Sequence, residues 1–146
     1  MLDFLGRYYV RCPQCGDRAT VSATGSENLL FSPRRLCCTK CGHTAKWDKS
    51  SVLYPLQDDP TDWFFGLPYY FQKRCAGHVL WVANREHLEF LRNYVGAKLR
   101  SRAVTERGWT NRSLASRLPR WLTAAKHRDT VLSSLDGLEA KMTAIP

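Results

Sequence analysis

Cys12-Pro13-Gln14-Cys15-Gly16 and Cys38-Thr39-Lys40-Cys41-Gly42 decide how this 146-residue chain is read. Each is a Cys-x-x-Cys turn closed by glycine, and 22 residues separate the two. The spacing lets two thiolates point at one centre, while the glycine frees backbone N–H groups to bond the sulfurs. Two such knuckles supply four sulfurs, the tetrahedral set that closes around Zn²⁺ and leaves no position for catalysis. The expected ligands are Cys12, Cys15, Cys38 and Cys41, holding one structural zinc. Cys37 offers Cys37-x3-Cys41 as an alternative. Cys38 is preferred because Cys38-x2-Cys41-Gly42 repeats the first knuckle, which leaves Cys37 as a strand residue.

Rival uses of these cysteines fit less well. Disulfides need an oxidising compartment. The segment Met1-Leu2-Asp3-Phe4-Leu5-Gly6-Arg7 has neither a basic start nor a long apolar run of a secretory signal. A thioredoxin-like site uses one Cys-x-x-Cys, not two matched knuckles. A reducing, cytoplasmic setting is therefore expected. No stretch approaches the roughly 20 apolar residues of a membrane span, and 44% hydrophobic content with 12% aromatics describes a globular chain.

The net charge is +9, and it is unevenly spread. Residues 7–49 carry a balance of +5, residues 50–84 of −1, and residues 85–128 of +8. Arginine outnumbers lysine fifteen to seven. The planar guanidinium suits phosphate, carboxylate and aromatic faces, so the bias fits a polyanionic or acidic partner, against the plainer reading of charge as a solubility device.

Composition divides the chain into a metal module at 1–49, a linker at 50–62 and a second unit at 63–146. Tyr8–Arg11, Ala19–Ala23, Arg34–Cys37 and His43–Trp47 read as strands around the knuckles. Such a module has a thin core, so the metal supplies much of its folding energy. Asp58, Asp59 and Asp62, interrupted by Pro60, read as a solvated turn rather than a cation site. The aromatic run Trp63–Phe71 reads as core, with base stacking as its rival. Tyr69–Arg74 and Val79–Ala83 are expected to form a hairpin turning at Cys75-Ala76-Gly77-His78. Asn84 caps a helix from Arg85 to about Arg102, with Leu88, Leu91, Val95 and Leu99 on one stripe. Asn111–Leu118 and Arg120–Arg128 are expected as short helices, the second opened by Pro119, and Thr130–Met142 as a last one capped by Asp129.

Other chemistry is weakly signalled. Cys75 and His78 form a Cys-x-x-His, but His87 and His43 lack ligand spacing, so a hairpin turn is the better account. Cys75 as a nucleophile lacks an orienting third group and an oxyanion loop. Ser113–Leu118 resembles the first helix of a helix-turn-helix, yet Pro119 follows at once and no turn glycine is present. No Walker, Gly-x-Gly-x-x-Gly or His-Glu-x-x-His motif occurs.

The order of residues resembles a family of small bacterial proteins with a transcription-factor-IIB-type (Cys₄) zinc ribbon. The two knuckles carry the likeness, followed by Phe65-Gly66-Leu67-Pro68 and Cys75-Ala76-Gly77-His78-Val79-Leu80-Trp81. It continues through Asn84, His87-Leu88, Tyr94-Val95 and Leu99–Arg102 to Arg117–Leu122 and Ala125–Asp129. The resemblance implies a ribbon fused to a hairpin-plus-helices module and brings no activity with it.

The fold expected is α+β: an N-terminal Cys₄ zinc ribbon, then a β-hairpin packed with three or four C-terminal helices. The function expected is non-enzymatic association with DNA or RNA, with no membrane and no small-molecule substrate. Arg34, Arg35 and Lys40 near the second knuckle, and Arg112, Arg117, Arg120, Lys126 and Arg128 further on, would supply the basic surface. The alternative is an interaction subunit of a larger bacterial assembly, its arginines and Trp109 and Trp121 meeting an acidic protein surface.

Overall fold

The computed structural model describes residues 6–24, 32–48, 60–96 and 118–144. Alternating side chains build the first sheet. Strands β1 (Arg7–Arg11), β2 (Arg18–Ala23), β3 (Arg34–Cys38) and β4 (Thr44–Trp47) pair antiparallel in that order. Register aligns Tyr8, Val21, Leu36 and Ala45 in one inward row, and Val10, Ala19 and Cys38 in the next. Tyr8, Val10, Val21 and Leu36 are fully buried, each contributing roughly 1.5–3 kcal/mol by leaving water.

The second unit starts from a turn. Asp62 is 1% exposed, so residues 60–62 belong to the folded body and not to a solvated linker. Its Oδ1 accepts the Leu67 N–H at 2.8 Å, and its Oδ2 accepts Phe65 N–H at 3.0 Å and Phe64 N–H at 3.2 Å. A short carboxylate that satisfies three backbone donors within the next five residues fixes the turn without help from a regular element. Asp58 and Asp59 lie outside the described residues.

Strands β5 (Phe71–Cys75) and β6 (His78–Val82) form the hairpin, which turns on Ala76-Gly77 alone, with Cys75 opposite His78. The helix α1 (Arg85–Gly96) opens where Asn84 Oδ1 accepts the His87 N–H at 2.9 Å. Its buried stripe is His87, Leu88, Leu91 and Val95; Leu99 lies outside the described residues. The segment after Pro119 is broken. A single turn α2 (Arg120–Thr123) and a 3₁₀ turn (Ala125–His127) lead into α3 (Arg128–Ala144). The break falls at Ala124, whose backbone is extended (ψ 131°), so no continuous helix runs from Arg120 to Arg128. The last helix begins at Arg128 rather than after Asp129. The α+β order is therefore present, with α1 and α3 packed on the hairpin through Phe71, Leu80, Val82, Leu88, Leu135 and Leu138. The expected helix Asn111–Leu118 falls almost wholly outside the described residues.

The two units share a seam along β1. On its outer edge the Arg7 carbonyl accepts Asn84 Nδ2–H at 2.8 Å, and the Tyr9 N–H donates to the Ala83 carbonyl at 3.1 Å. The Tyr9 carbonyl accepts the Tyr70 N–H at 3.1 Å, and the Arg11 N–H donates to the Pro68 carbonyl at 2.9 Å. An edge strand with open donors and acceptors invites pairing with other chains. Here the second unit closes that edge. Among the described residues no helix is long and apolar enough to cross a membrane.

Candidate metal centre

Two turns of matching geometry carry the four cysteines. In the first, the Cys12 N–H donates to the Asp17 carbonyl at 2.7 Å and the Gly16 N–H returns to the Cys12 carbonyl at 2.9 Å. In the second, Cys38 N–H reaches the His43 carbonyl and Gly42 N–H the Cys38 carbonyl, both at 2.9 Å. Gly16 and Gly42 sit at φ 77° and 79°. A Cβ at either would touch nothing within 4 Å, so backbone conformation and not space requires glycine there.

The four Sγ atoms lie within 4.8 Å of one another. Cys12 to Cys41 and Cys15 to Cys38 are each 3.6 Å apart. A tetrahedral tetrathiolate with metal–sulfur bonds near 2.3 Å has sulfur–sulfur edges of about 3.8 Å, so the cluster fits one metal ion. All four are free cysteines; Cys12 and Cys38 are buried, and Cys15 and Cys41 face out. The inner pair is fixed by the sheet and the outer pair completes the cluster.

Electrostatics favour a cation among them. Burial alone would raise the Cys12 thiol, but backbone N–H donors from Cys15 and Gln14 outweigh it and bring it down to about 7. At Cys41 the His43 N–H favours the thiolate, yet burial and the three other sulfurs push it up to about 12. Four thiols sharing one site cannot all ionise without a compensating charge, and a bound divalent ion removes that conflict.

The remaining residues expected at a site are scattered. Arg34 is in β3, 1% exposed, with its guanidinium 4.2 Å from the Phe64 ring centroid. It is a buried core residue, not a residue of an exposed loop. The alternation that puts Leu36 and Cys38 inward also puts Arg34 inward, and that signal was present in the sequence. Arg35 and Cys37 point outward. Lys40 is exposed and pairs with Asp17 at 2.6 Å, tying one knuckle to the other; such an open pair adds little stability. Arg120 and Lys126 are exposed, Arg128 is half-buried, and Arg112, Arg117 and Trp109 lie outside the described residues.

Cys75 and His78 do not assemble a second centre. Cys75 is buried, while the His78 ring stacks on Trp121 at 4.6 Å. His87 is buried and accepts the Ala83 N–H at Nδ1, 3.0 Å away. Of the aromatic run, Phe64, Tyr69 and Phe71 are core, and Trp81 stacks on Tyr69 at 4.2 Å. Sequence reasoning missed Asp62, whose partner Tyr8 stands 54 positions away. Comparison of the chain with family models, curated proteins and solved structures finds no match, so sulfur geometry alone carries the metal assignment.

Proposed function

We propose that the chain is a zinc-ribbon protein whose Zn²⁺ is structural, and that it works in the reducing cytoplasm by associating with nucleic acid through a basic surface, without catalysis. The cysteine cluster is the observation that carries this reading: four sulfurs, with no fifth donor among the described residues, suit zinc, and a closed set would offer no place for water or substrate. Ribbon and sheet then act as a scaffold for charge. Arg35 flanks the second knuckle on the exposed side of β3, and Arg120 and Lys126 are exposed on the second unit. With a chain charge of +9, phosphate is the natural counter-surface. Binding to mixed DNA or RNA should weaken steeply as salt rises, because each neutralised phosphate releases counterions. Flat affinity across a salt titration would count against it.

A second reading replaces nucleic acid with an acidic protein surface in a larger assembly. Trp121, half-buried beneath His78 and next to the exposed Arg120, has the composition of an interface anchor. Partners that co-purify unchanged after nuclease treatment would favour this second reading.

A further inference from the structure

Pairing register puts Arg7, Ser22, Arg35 and Lys46 in one row across all four strands of the first sheet. Arg11 stands opposite Arg18 nearer the knuckles. Side chains alternate across a sheet, so this whole set projects from the face opposite Tyr8, Val21 and Leu36. Arg7, Arg11, Arg35 and Lys46 are exposed and Arg18 is half-buried. The positions between them on this face are Tyr9, Thr20, Cys37 and Thr44, so its strands bear five cations and no carboxylate. At about 4.8 Å between strands the row is roughly 14 Å long. Charges held this close repel one another, and an anion laid across them relieves that cost.

The β1 end of this face runs into a cleft of about 580 Å³. Arg7, Tyr9, Arg18, Phe71, Arg85 and Met142 line it, and Glu86 is the one acid among the described residues that do. The Arg18 guanidinium lies over the Tyr9 ring, 5.0 Å from its centroid, and Phe71 meets that ring edge-on at 5.7 Å. Arg85 also reaches Glu139 at 3.5 Å, which holds it on the α1 side of the cleft. A row of cations therefore leads to a pocket whose walls combine guanidinium planes with aromatic and thioether surface.

The geometry points to a site for single-stranded nucleic acid here, with phosphates along Lys46, Arg35 and Arg7 and one unstacked base entering the cleft beside the Arg18–Tyr9 pair. This rests on the nucleic-acid reading above and adds where the strand lies and in which form. Reading a duplex calls for a helix or ribbon that enters the groove, whereas this is a broad sheet face. Bases of a single strand expose their π faces and stack on rings or guanidinium planes with little regard to sequence.

The test uses full-length zinc-loaded protein and fluorescence anisotropy with labelled mixed-sequence strands of roughly 20 nucleotides, longer than one small-fold site. Single-stranded RNA, single-stranded DNA and the duplex are compared from about 50 to 200 mM salt. A double change of Arg7→Gln and Arg35→Gln, both exposed, should weaken single-strand binding about tenfold or more and lower the salt slope by about 1.4. Tyr9→Leu should weaken it at least about fivefold, with zinc content confirming the fold. The pair Arg120→Gln and Lys126→Gln, cations of the basic surface that lie off this face, should weaken binding and lower the salt slope by less than the Arg7 and Arg35 pair does. Equal affinity for duplex, or loss confined to the Arg120 and Lys126 pair, overturns this site and leaves the general reading standing. No binding to any nucleic acid at about 50 mM salt overturns both.

Discussion

The Tyr8 hydroxyl donates a 2.9 Å hydrogen bond to Oδ2 of Asp62, joining the first strand to a turn 54 residues later. Both side chains are buried. Around them Arg34 covers Phe64, and Trp47 meets that same ring edge-on at 4.7 Å. The interior of the first sheet is thus sealed by a polar cluster that belongs to both units.

Asp62→Asn should destabilise the protein by about 2–4 kcal/mol in urea unfolding. The carboxylate accepts from Tyr8 O–H and from Phe64, Phe65 and Leu67 N–H, and an amide replaces one acceptor oxygen with a second donor facing donors. Tyr8→Phe removes one bond and should cost less, about 1–2 kcal/mol. A midpoint for Asp62→Asn equal to that of the parent would show that the turn stands without its carboxylate.

Acid lability should come from His87. Burial pushes this imidazole down to about 3, against an ordinary value of 6.5. The unfolded chain therefore takes up a proton where the folded chain does not. The His87 contribution is complete above pH 6.5 and is lost as pH falls toward 3, at up to about 1.4 kcal/mol per pH unit. Urea midpoints measured from pH 7 to about 4 should fall less steeply in His87→Gln than in the parent. Parallel curves would remove His87 as the source.

Freshly purified reduced protein should carry one zinc per chain by elemental analysis. Cys15→Ser and Cys38→Ser should each lose it and loosen the first sheet, since metal binding and folding are coupled at such sites. Cys37→Ser and Cys75→Ala should keep it, because neither sulfur belongs to the cluster of four. Metal retained in Cys38→Ser and lost in Cys37→Ser would contradict the register that turns Cys38 inward and Cys37 outward.

The legible parts of this fold are the local ones. Knuckle spacing is covalent and short-range, so Cys12, Cys15, Cys38 and Cys41 could be read directly and do converge. The caps and stripes of α1 were equally local: Asn84 bonds the His87 N–H three residues on. What sequence could not supply was contact at long range. Nothing near Asp62 announces Tyr8, and nothing in Tyr69-Tyr70 announces that this segment pairs with the edge of β1. Arg34 is an intermediate case. Its charge argued for surface, its place in the alternation argued for core, and packing against Phe64 settled it inward.

The hairpin turn also shows strain that can be relieved. Ala76 and Gly77 sit at φ 50° and 80°, so both central residues of a two-residue loop are left-handed. That is the pattern of a type I′ turn, whose twist matches the flanking strands and which favours Asn-Gly. Glycine adopts it freely, while alanine at φ 50° brings its Cβ too near the following carbonyl, at a cost of roughly 1–2 kcal/mol. Asparagine tolerates this region better because its side chain bonds locally. Ala76→Asn should therefore raise stability by about 0.5–1 kcal/mol, less whatever the half-buried methyl contributes to the second core. Ala76→Val, β-branched at the same φ, should lower stability by more than about 1 kcal/mol. Urea unfolding of the two variants beside the parent decides the matter, and equal midpoints for Asn and Val would mean that the turn is not left-handed at Ala76.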